Sequence, residues 1–255
     1  MRFEKWHAHG NAYLLVERPE AELTAERVRL LCDPGVGIGS DGLLEVVERH
    51  GVRASIVVWN PDGSIAELSG NGTRIAAAWL LRETCADEVE IATGGRVVRG
   101  GRTRLEGVVR QQLGDVTVSP DEELELPGER LSIVPVSVGN PHAVLLRSEL
   151  SRDDLLRLGP ALETHPRFPK RTNVQLARPE PQNVVRVLVW ERGAGETPAS
   201  GSSAAAVAAA AVARGWCDSP VRISMPGGDL VVTVDRGAVS LEGPAEEICE
   251  GTTRL

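Results

Sequence analysis

The chain is short of the residues that most macromolecular partners require. Aromatic side chains make up only 3% of its 255 residues, too few for the stacking platforms that hold single-stranded nucleic acid. Positive charge is also scarce: 28 Lys and Arg stand against 36 Asp and Glu, a formal net charge of −8. Nucleic acid and anionic membranes both need a basic face, so neither is expected as a partner, and a small-molecule ligand is. Only four cysteines occur, Cys32, Cys85, Cys217 and Cys249, with no C-x-x-C pair among them. They are too sparse to staple a chain of this length, which predicts a reducing compartment, the cytoplasm. Long apolar runs are missing as well. The start, MRFEKWHAHGN, has no apolar signal core, and the longest apolar run, 204–213, is short and mostly alanine. Neither a signal peptide nor a membrane span is expected.

What the chain does have is a pattern written twice. AYLLVE (12–17) and ASIVVWN (54–60) read as strands, and TAERVRLLCD between them has helical spacing with Thr24 as N-cap. Next come an alanine-rich helix and a meander, VEIATGGRVVRGGRTRLEGVVRQQLGDVTVS, with turns expected at Gly94–Gly95 and Gly100–Gly101. The second half repeats the plan. Residues 131–146 are strand-like, 151–163 helical, 184–191 a strand, then comes a second alanine-rich helix followed by hairpins. Gly10-Asn11 recurs as Gly139-Asn140, Trp59-Asn60 as Trp190-Glu191, and Ser69-Gly70 as Ser200-Gly201. So constant an offset over unlike landmarks indicates a tandem duplication. The expected fold is α/β (α+β), with two pseudo-symmetric domains: residues 1–118, which 245–255 could complete, and residues 119–244. The acidic stretch SPDEELELPGE (119–129) reads as a solvated connection between them.

Each alanine-rich helix is preceded by a serine and a glycine. A serine there caps the helix. The glycine beyond it lets a ligand approach backbone N–H groups at the positive end of the helix dipole, which suits a carboxylate. Equivalent loops of a pseudo-twofold pair face a shared cleft, so the two Ser-Gly turns are expected to be the two sides of one site.

The motifs GNAYLLV, GIGSDGLL (37–44), NPDGS (60–64), SGNGTR (69–74), GNPHAV (139–144), RTNVQ (171–175), WERGAGET (190–197) and SGSS (200–203) together resemble the diaminopimelate epimerase family over essentially the full length. That resemblance implies two domains, each a barrel-like, mostly antiparallel sheet around a central helix. It implies a cofactor-independent isomerase without a metal, interconverting LL- and meso-diaminopimelate in lysine and cell-wall precursor biosynthesis. The α-proton would be removed on one face and replaced on the other by two bases, both cysteines in the family, at the positions held here by Ser69 and Ser200. Gly70, Asn71, Gly201 and Ser202 would hold the reacting carboxylate by their N–H groups. Asn11, Asn60, Asn140, Asn173 and Arg192 would hold the far end of the substrate. Glu191 would accept from the α-ammonium, and His142 with Glu191 would tune proton affinities. A homodimer is a further expectation.

Two departures matter. A serine hydroxyl is a far weaker acid than a thiol, and each unit of pKa mismatch costs up to about 1.4 kcal/mol, so the Ser69/Ser200 site predicts weakened turnover. Ile75 and Ala205 stand where such motifs often carry further cysteines; cysteine is thus missing throughout, which fits natural divergence better than two introduced substitutions. Gly42 replaces a usual glutamine. Two alternatives stay open: a racemase of another amino acid, and an amino-acid-binding protein without turnover. Gly37, Gly39 and Gly42 spell G-x-G-x-x-G but follow a helical segment, not a strand, so nicotinamide binding is not expected. His7 and His9 lack a third ligand and read as ordinary strand residues.

Overall fold

The computed structural model describes residues 1–255 except Arg18, Glu20, Glu67 and Leu68. Its residues divide into two units, Met1–Gln112 with Glu242–Leu255, and Leu113–Leu241. The first unit runs β1 (Arg2–Ala8), β2 (Asn11–Glu17), α1 (Ala25–Cys32), β3 (Leu43–His50), β4 (Arg53–Trp59), β5 (Ile65–Ala66), α2 (Gly70–Thr84), β6 (Glu88–Thr93), β7 (Arg96–Arg102) and the first part of β8 (Val108–Asp115), which ends in the second. The chain then continues into β9 (Thr117–Val118), β10 (Glu122–Leu126), β11 (Glu129–Ser137), β12 (Pro141–Leu146), α3 (Arg152–Glu163), β13 (Asn173–Glu180) and β14 (Val184–Glu191). It finishes with β15 (Gly195–Thr197), α4 (Gly201–Ala213), β16 (Val221–Met225), β17 (Gly228–Asp235), β18 (Ala238–Pro244) and β19 (Glu246–Thr252), the last of which belongs to the first unit.

The strand pairing repeats with the sequence. In the first unit β2 and β3 are parallel, β3 and β4 antiparallel, β4 and β6 parallel, β6 and β7 antiparallel. In the second unit β12/β13, β13/β14, β14/β16 and β16/β17 follow with the same senses in the same order. Even the short strands correspond: β5 adds antiparallel to β4 as β15 adds to β14. The last strand of the chain, β19, lies antiparallel on β1, and so binds the C-terminus into the first unit. This is the mixed α/β architecture expected of a tandem duplication.

Each unit packs its sheet against one long helix. A helix that is apolar all round belongs in an interior, and α4 is buried at Gly201 and along Ser203–Ala211, amid Val134, Val187, Val189, Leu230 and Leu241. Alanine suits this place twice, having the highest helix propensity and the least side chain to accommodate. In the first unit α2 packs Ile75, Ala76, Ala77, Trp79 and Leu80 against Leu15, Ile56 and Ile91. The approach is close: a Cβ on Gly100 would lie 2.5 Å from the Ala77 Cβ. That explains one correction to the sequence reading. Gly94–Gly95 is the β6/β7 turn, but Gly100–Gly101 lies inside β7, where glycine admits the helix instead of turning the chain.

The acidic stretch 119–129 also departs from its reading as a connection. It forms β10 and the turn into β11 within the second unit. Its alternation places Leu124 in a core with Leu131 and Ile133 while Glu123 and Glu125 face outward, the period-two pattern of a half-buried strand. His7 and His9 do not share a strand face, because His9 leaves β1 for the turn, with φ 53°. Of the G-x-G-x-x-G glycines, Gly37 and Gly39 wrap the C-terminal end of α1, where a Cβ on Gly37 would sit 1.9 Å from the Leu30 carbonyl oxygen, and Gly42 lies against Tyr13 and Trp59. No helix follows them, so they do not form a dinucleotide turn.

Candidate active site

The expected residues fall into two sets, one in each unit. In the first, Ser69 has extended backbone (φ −127°, ψ 119°) and caps α2, its Oγ accepting the Gly72 N–H at 3.0 Å. Gly72 has to be small: a Cβ there would lie 3.0 Å from Leu44 Cδ2 and 3.2 Å from Ser69 Oγ. Asn71 ties the first turn of α2 to the start of β2, its Nδ2 donating to Asn11 Oδ1 at 3.2 Å. Asn71 Oδ1 accepts from Arg74 Nη2 at 2.9 Å, and Arg74 Nε donates to the Pro244 carbonyl at 3.0 Å. Arg74 is fully buried, and burial pushes its pKa down to about 10, which still leaves it a cation at neutral pH. Among the described residues no carboxylate forms an ion pair with it. Its charge therefore adds to the positive end of α2.

Tyr13, which the motif reading gives no role, completes this set. It is 7% exposed on β2, and its Oη lies 2.9 Å from Ser69 Oγ. Its ring also accounts for the Gly42 departure. A Cβ at position 42 would meet Tyr13 Cε1 at 2.6 Å and the Trp59 carbonyl at 2.7 Å, so no glutamine fits while the ring is there. Asn60 stands apart from these contacts. Its Nδ2 donates to Ser64 Oγ at 2.9 Å and its carbonyl accepts from Gly63, the chemistry of its own turn.

In the second unit Ser200 is the extended N-cap of α4 (φ −147°, ψ 124°), 7% exposed, with Oγ accepting the Ser203 N–H at 3.5 Å. Gly201 and Ser202 form the first turn. Burial raises the Glu191 carboxyl above the ordinary carboxylate range, opposed by the neighbouring Ser200 and Thr197 hydroxyls. Asn173, opening β13, joins the remaining residues: its Oδ1 accepts the Arg192 backbone N–H at 3.0 Å and its Nδ2 donates to the Pro141 carbonyl at 2.9 Å. The Arg192 side chain is exposed, with Nη1 donating to the Lys170 carbonyl at 3.2 Å.

His142 is 1% exposed on β12, and both its ring nitrogens are engaged. Nδ1 faces Gln175 Nε2 at 3.1 Å and Nε2 faces Asn140 Oδ1 at 3.0 Å. An amide nitrogen only donates, so Nδ1 accepts and Nε2 carries the proton toward Asn140. Burial, with the nearby Arg192 charge, pushes the ring down to about 3 against the opposing Gln175 bond. His142 is thus a buried ring that burial holds neutral, with Nε2 toward Asn140. Glu163, at the end of α3, also lies outside the motifs. Its carboxylate accepts from Trp190 Nε1 at 2.7 Å and the Gly193 N–H at 2.9 Å, and so holds both ends of the turn carrying Glu191 and Arg192.

One electrostatic contrast sets α2 and α4 apart. The first turns of α1 and α3 contain acids, Glu26 in one and Asp153 and Asp154 in the other, whereas those of α2 and α4 contain none. The two Ser-Gly helices keep positive N-termini uncompensated from within.

The sequence profile described as "Diaminopimelate epimerase" matches residues 3–116 and again 134–247, once in each repeat. The chain belongs to the diaminopimelate epimerase family. Similar members include "Diaminopimelate epimerase 2" of Nostoc sp., 34% identical over 98% of this chain and 95% of the relative. The diaminopimelate epimerase of Stutzerimonas stutzeri is also 34% identical, over 100% and 99% of the two chains. Among solved structures, a PhzF-family phenazine biosynthesis protein of Bacillus anthracis superposes with TM-score 0.73 at 14% identity, covering 100% of this chain and 99% of that one. A hydroxyproline epimerase of Agrobacterium vitis gives 0.66 at 15%, covering 98% and 91%. At such identities the structures establish the shared fold alone. Membership makes the protein an isomerase of an epimerase family, with hydroxyls at the two positions where the family resemblance implies thiols.

Proposed function

We propose that the protein interconverts LL- and meso-diaminopimelate by proton transfer at the α-carbon, each unit contributing one of the two groups, with no metal or cofactor. The observation that carries this reading is the pair of helix N-termini whose first turns hold no acid, each opened by a capping serine and a glycine. An α-carboxylate suits such an end, because N–H groups and dipole both favour negative charge. Gly70, Asn71, Gly201 and Ser202 are the assigned carboxylate donors. Glu191, against the Ser200 hydroxyl, accepts from the α-ammonium. Arg192, Asn173 and Asn140, with Asn60 and Asn11, recognise the second amino-acid head group. Serine at both proton-transfer positions leaves the enzyme slow.

A second reading, binding without turnover, is favoured by the same two serines and by a neutral His142. A third, racemisation of a different amino acid, is favoured by Gly42, since Tyr13 occupies the space of a far-end contact. One experiment separates them. The protein is incubated in heavy water with diaminopimelate and with a panel of L- and D-amino acids, and deuterium at the α-carbon is followed by mass spectrometry. The proposal expects exchange on diaminopimelate. Exchange only on a monocarboxylic amino acid replaces the substrate, and binding of diaminopimelate with no exchange on any ligand refutes the enzymatic reading.

A further inference from the structure

The two serines of this site are not chemically equivalent, and the difference lies in what each hydroxyl touches within its own unit. Ser200 neighbours the Glu191 carboxyl, which can accept its proton when ionised. Ser69 faces a phenol. Its Oγ already accepts the Gly72 N–H at 3.0 Å, and the Tyr13 Oη stands 2.9 Å away. A hydroxyl has two lone pairs and one proton. If Tyr13 donates, both lone pairs are filled and the Ser69 proton is left to be given to a third group.

We infer that Tyr13 donates to Ser69 and thereby makes Ser69 the proton donor of the first unit, with Tyr13 as its positioning and proton-supplying residue. The inference rests on the epimerase reading for the identity of the acceptor, the substrate α-carbanion. The step balances without any further reactant. The Ser69 O–H bond breaks as the α-carbon C–H bond forms, and the Ser69 oxygen takes the Tyr13 phenolic proton, leaving phenolate. The phenolate recovers its proton from water or from the reverse turnover through Ser69. An alkoxide that accepts both a backbone N–H and a phenol is stabilised in the manner of an oxyanion hole. A phenol, with an ordinary pKa near 10, can reprotonate it readily. The fit of the ring against Gly42, where a side chain would strike both Tyr13 and the Trp59 carbonyl, holds the phenol at this position.

The test uses the full-length protein and does not depend on turnover. Ser69→Cys is made with Tyr13 intact and again with Tyr13→Phe, which removes only the hydroxyl. The pKa of the introduced thiol is read from the pH dependence of its alkylation by iodoacetamide, with site mapping to separate it from the four native cysteines. A donating Tyr13 stabilises the thiolate, so Tyr13→Phe is expected to raise the pKa of that thiol by a unit or more, about a tenfold loss of thiolate at neutral pH. An unmoved thiol pKa overturns the inference. A second arm compares α-deuterium exchange on diaminopimelate for the wild type and Tyr13→Phe. A drop of about 100-fold in rate at unchanged KM is expected. If the wild type exchanges while the thiol pKa stays put, the inference falls and the epimerase reading stands. If the pKa moves while the wild type exchanges nothing, the epimerase reading falls and the Tyr13 to Ser69 donation stands.

Discussion

Acidifying the protein from about pH 7 to about pH 4.5 tests how His142 is held. In the folded chain burial keeps the ring neutral down to about pH 3. In the unfolded chain the ring takes up a proton near its ordinary pKa of 6.5. Because the folded-state pKa is lowered, the unfolded state binds a proton that the folded state refuses everywhere between the two values. Stability from this group is therefore intact above about 6.5 and falls as pH drops, by about 1.4 kcal/mol per unit. Two units of that slope give a loss of about 2.5–3 kcal/mol at pH 4.5. The figure requires only that the folded ring stay unprotonated there. The assay is urea unfolding at both pH values for the wild type and for His142→Gln. Carboxylates titrate in both proteins and the packing cost of the substitution applies at both pH values, so the quantity read is the difference of differences. The wild type should lose about 2.5–3 kcal/mol more than the variant on acidification. Equal losses would show that His142 takes up a proton in the folded state, and the tautomer that points Nε2–H at Asn140 would be wrong.

Three further outcomes are expected. Ser69→Cys with Ser200→Cys should raise α-proton exchange on diaminopimelate by orders of magnitude while each single change helps little, since epimerisation needs a competent group on each face; a double variant that binds yet stays as slow as its parent refutes this. Arg192→Ala should weaken diaminopimelate binding by about 2–3 kcal/mol, measured by calorimetry, and spare a monocarboxylic amino acid; equal losses would remove Arg192 from far-end recognition. Gly42→Gln, which restores the usual family residue, should destabilise the fold by about 1–3 kcal/mol, because its Cβ would press on both the Tyr13 ring and the Trp59 carbonyl; an unchanged unfolding midpoint would show that the ring moves aside at no cost.

Much of this is legible in the sequence because its signals are local or periodic. Alternating strands, the Thr24 and Ser69 caps and the repeated landmarks each express a rule that acts within a few residues, and the duplication presents each one twice. The misreadings are non-local. Gly100–Gly101 has the letters of a turn, and only the approach of Ala77, 23 residues earlier, shows that glycine is there for close packing. In the stretch 119–129 charge hides the strand, although Leu124 and Leu126 in alternation carry its signal. At the site, spacing and motif pick out both serines as helix caps, whereas the Asn173–Arg192 contact and the Gln175 partner of His142 depend on other segments. Tyr13 escapes notice because nothing near it in the chain announces that it touches a residue 56 positions away. One signal is available: it is the chain's single tyrosine, two residues after a landmark glycine and asparagine.

Duplication writes the same turn into both units, but epimerisation needs the two groups to differ at every instant, one holding a proton and the other lacking it. A pair of thiols can meet that need by charge state alone, since a thiol titrates close to neutrality and a helix N-terminus stabilises its thiolate. A pair of serines cannot, because neither hydroxyl ionises in that range. The difference then has to come from the partners, and these are where the two halves of this chain part company. Tyr13 in one repeat and Glu191 in the other stand against equivalent serines, one able to supply a proton and the other able to take one. On this reasoning the loss of cysteine is tolerable only while both partners remain, so Tyr13→Phe and Glu191→Gln should each silence proton exchange in the Ser69/Ser200 protein. In the double-cysteine protein Tyr13→Phe should matter far less, because a thiol at position 69 no longer depends on a phenol to carry its proton. If Tyr13→Phe costs the double-cysteine protein as much as it costs the parent, Tyr13 serves the fold of its unit and not the acidity of the residue at position 69.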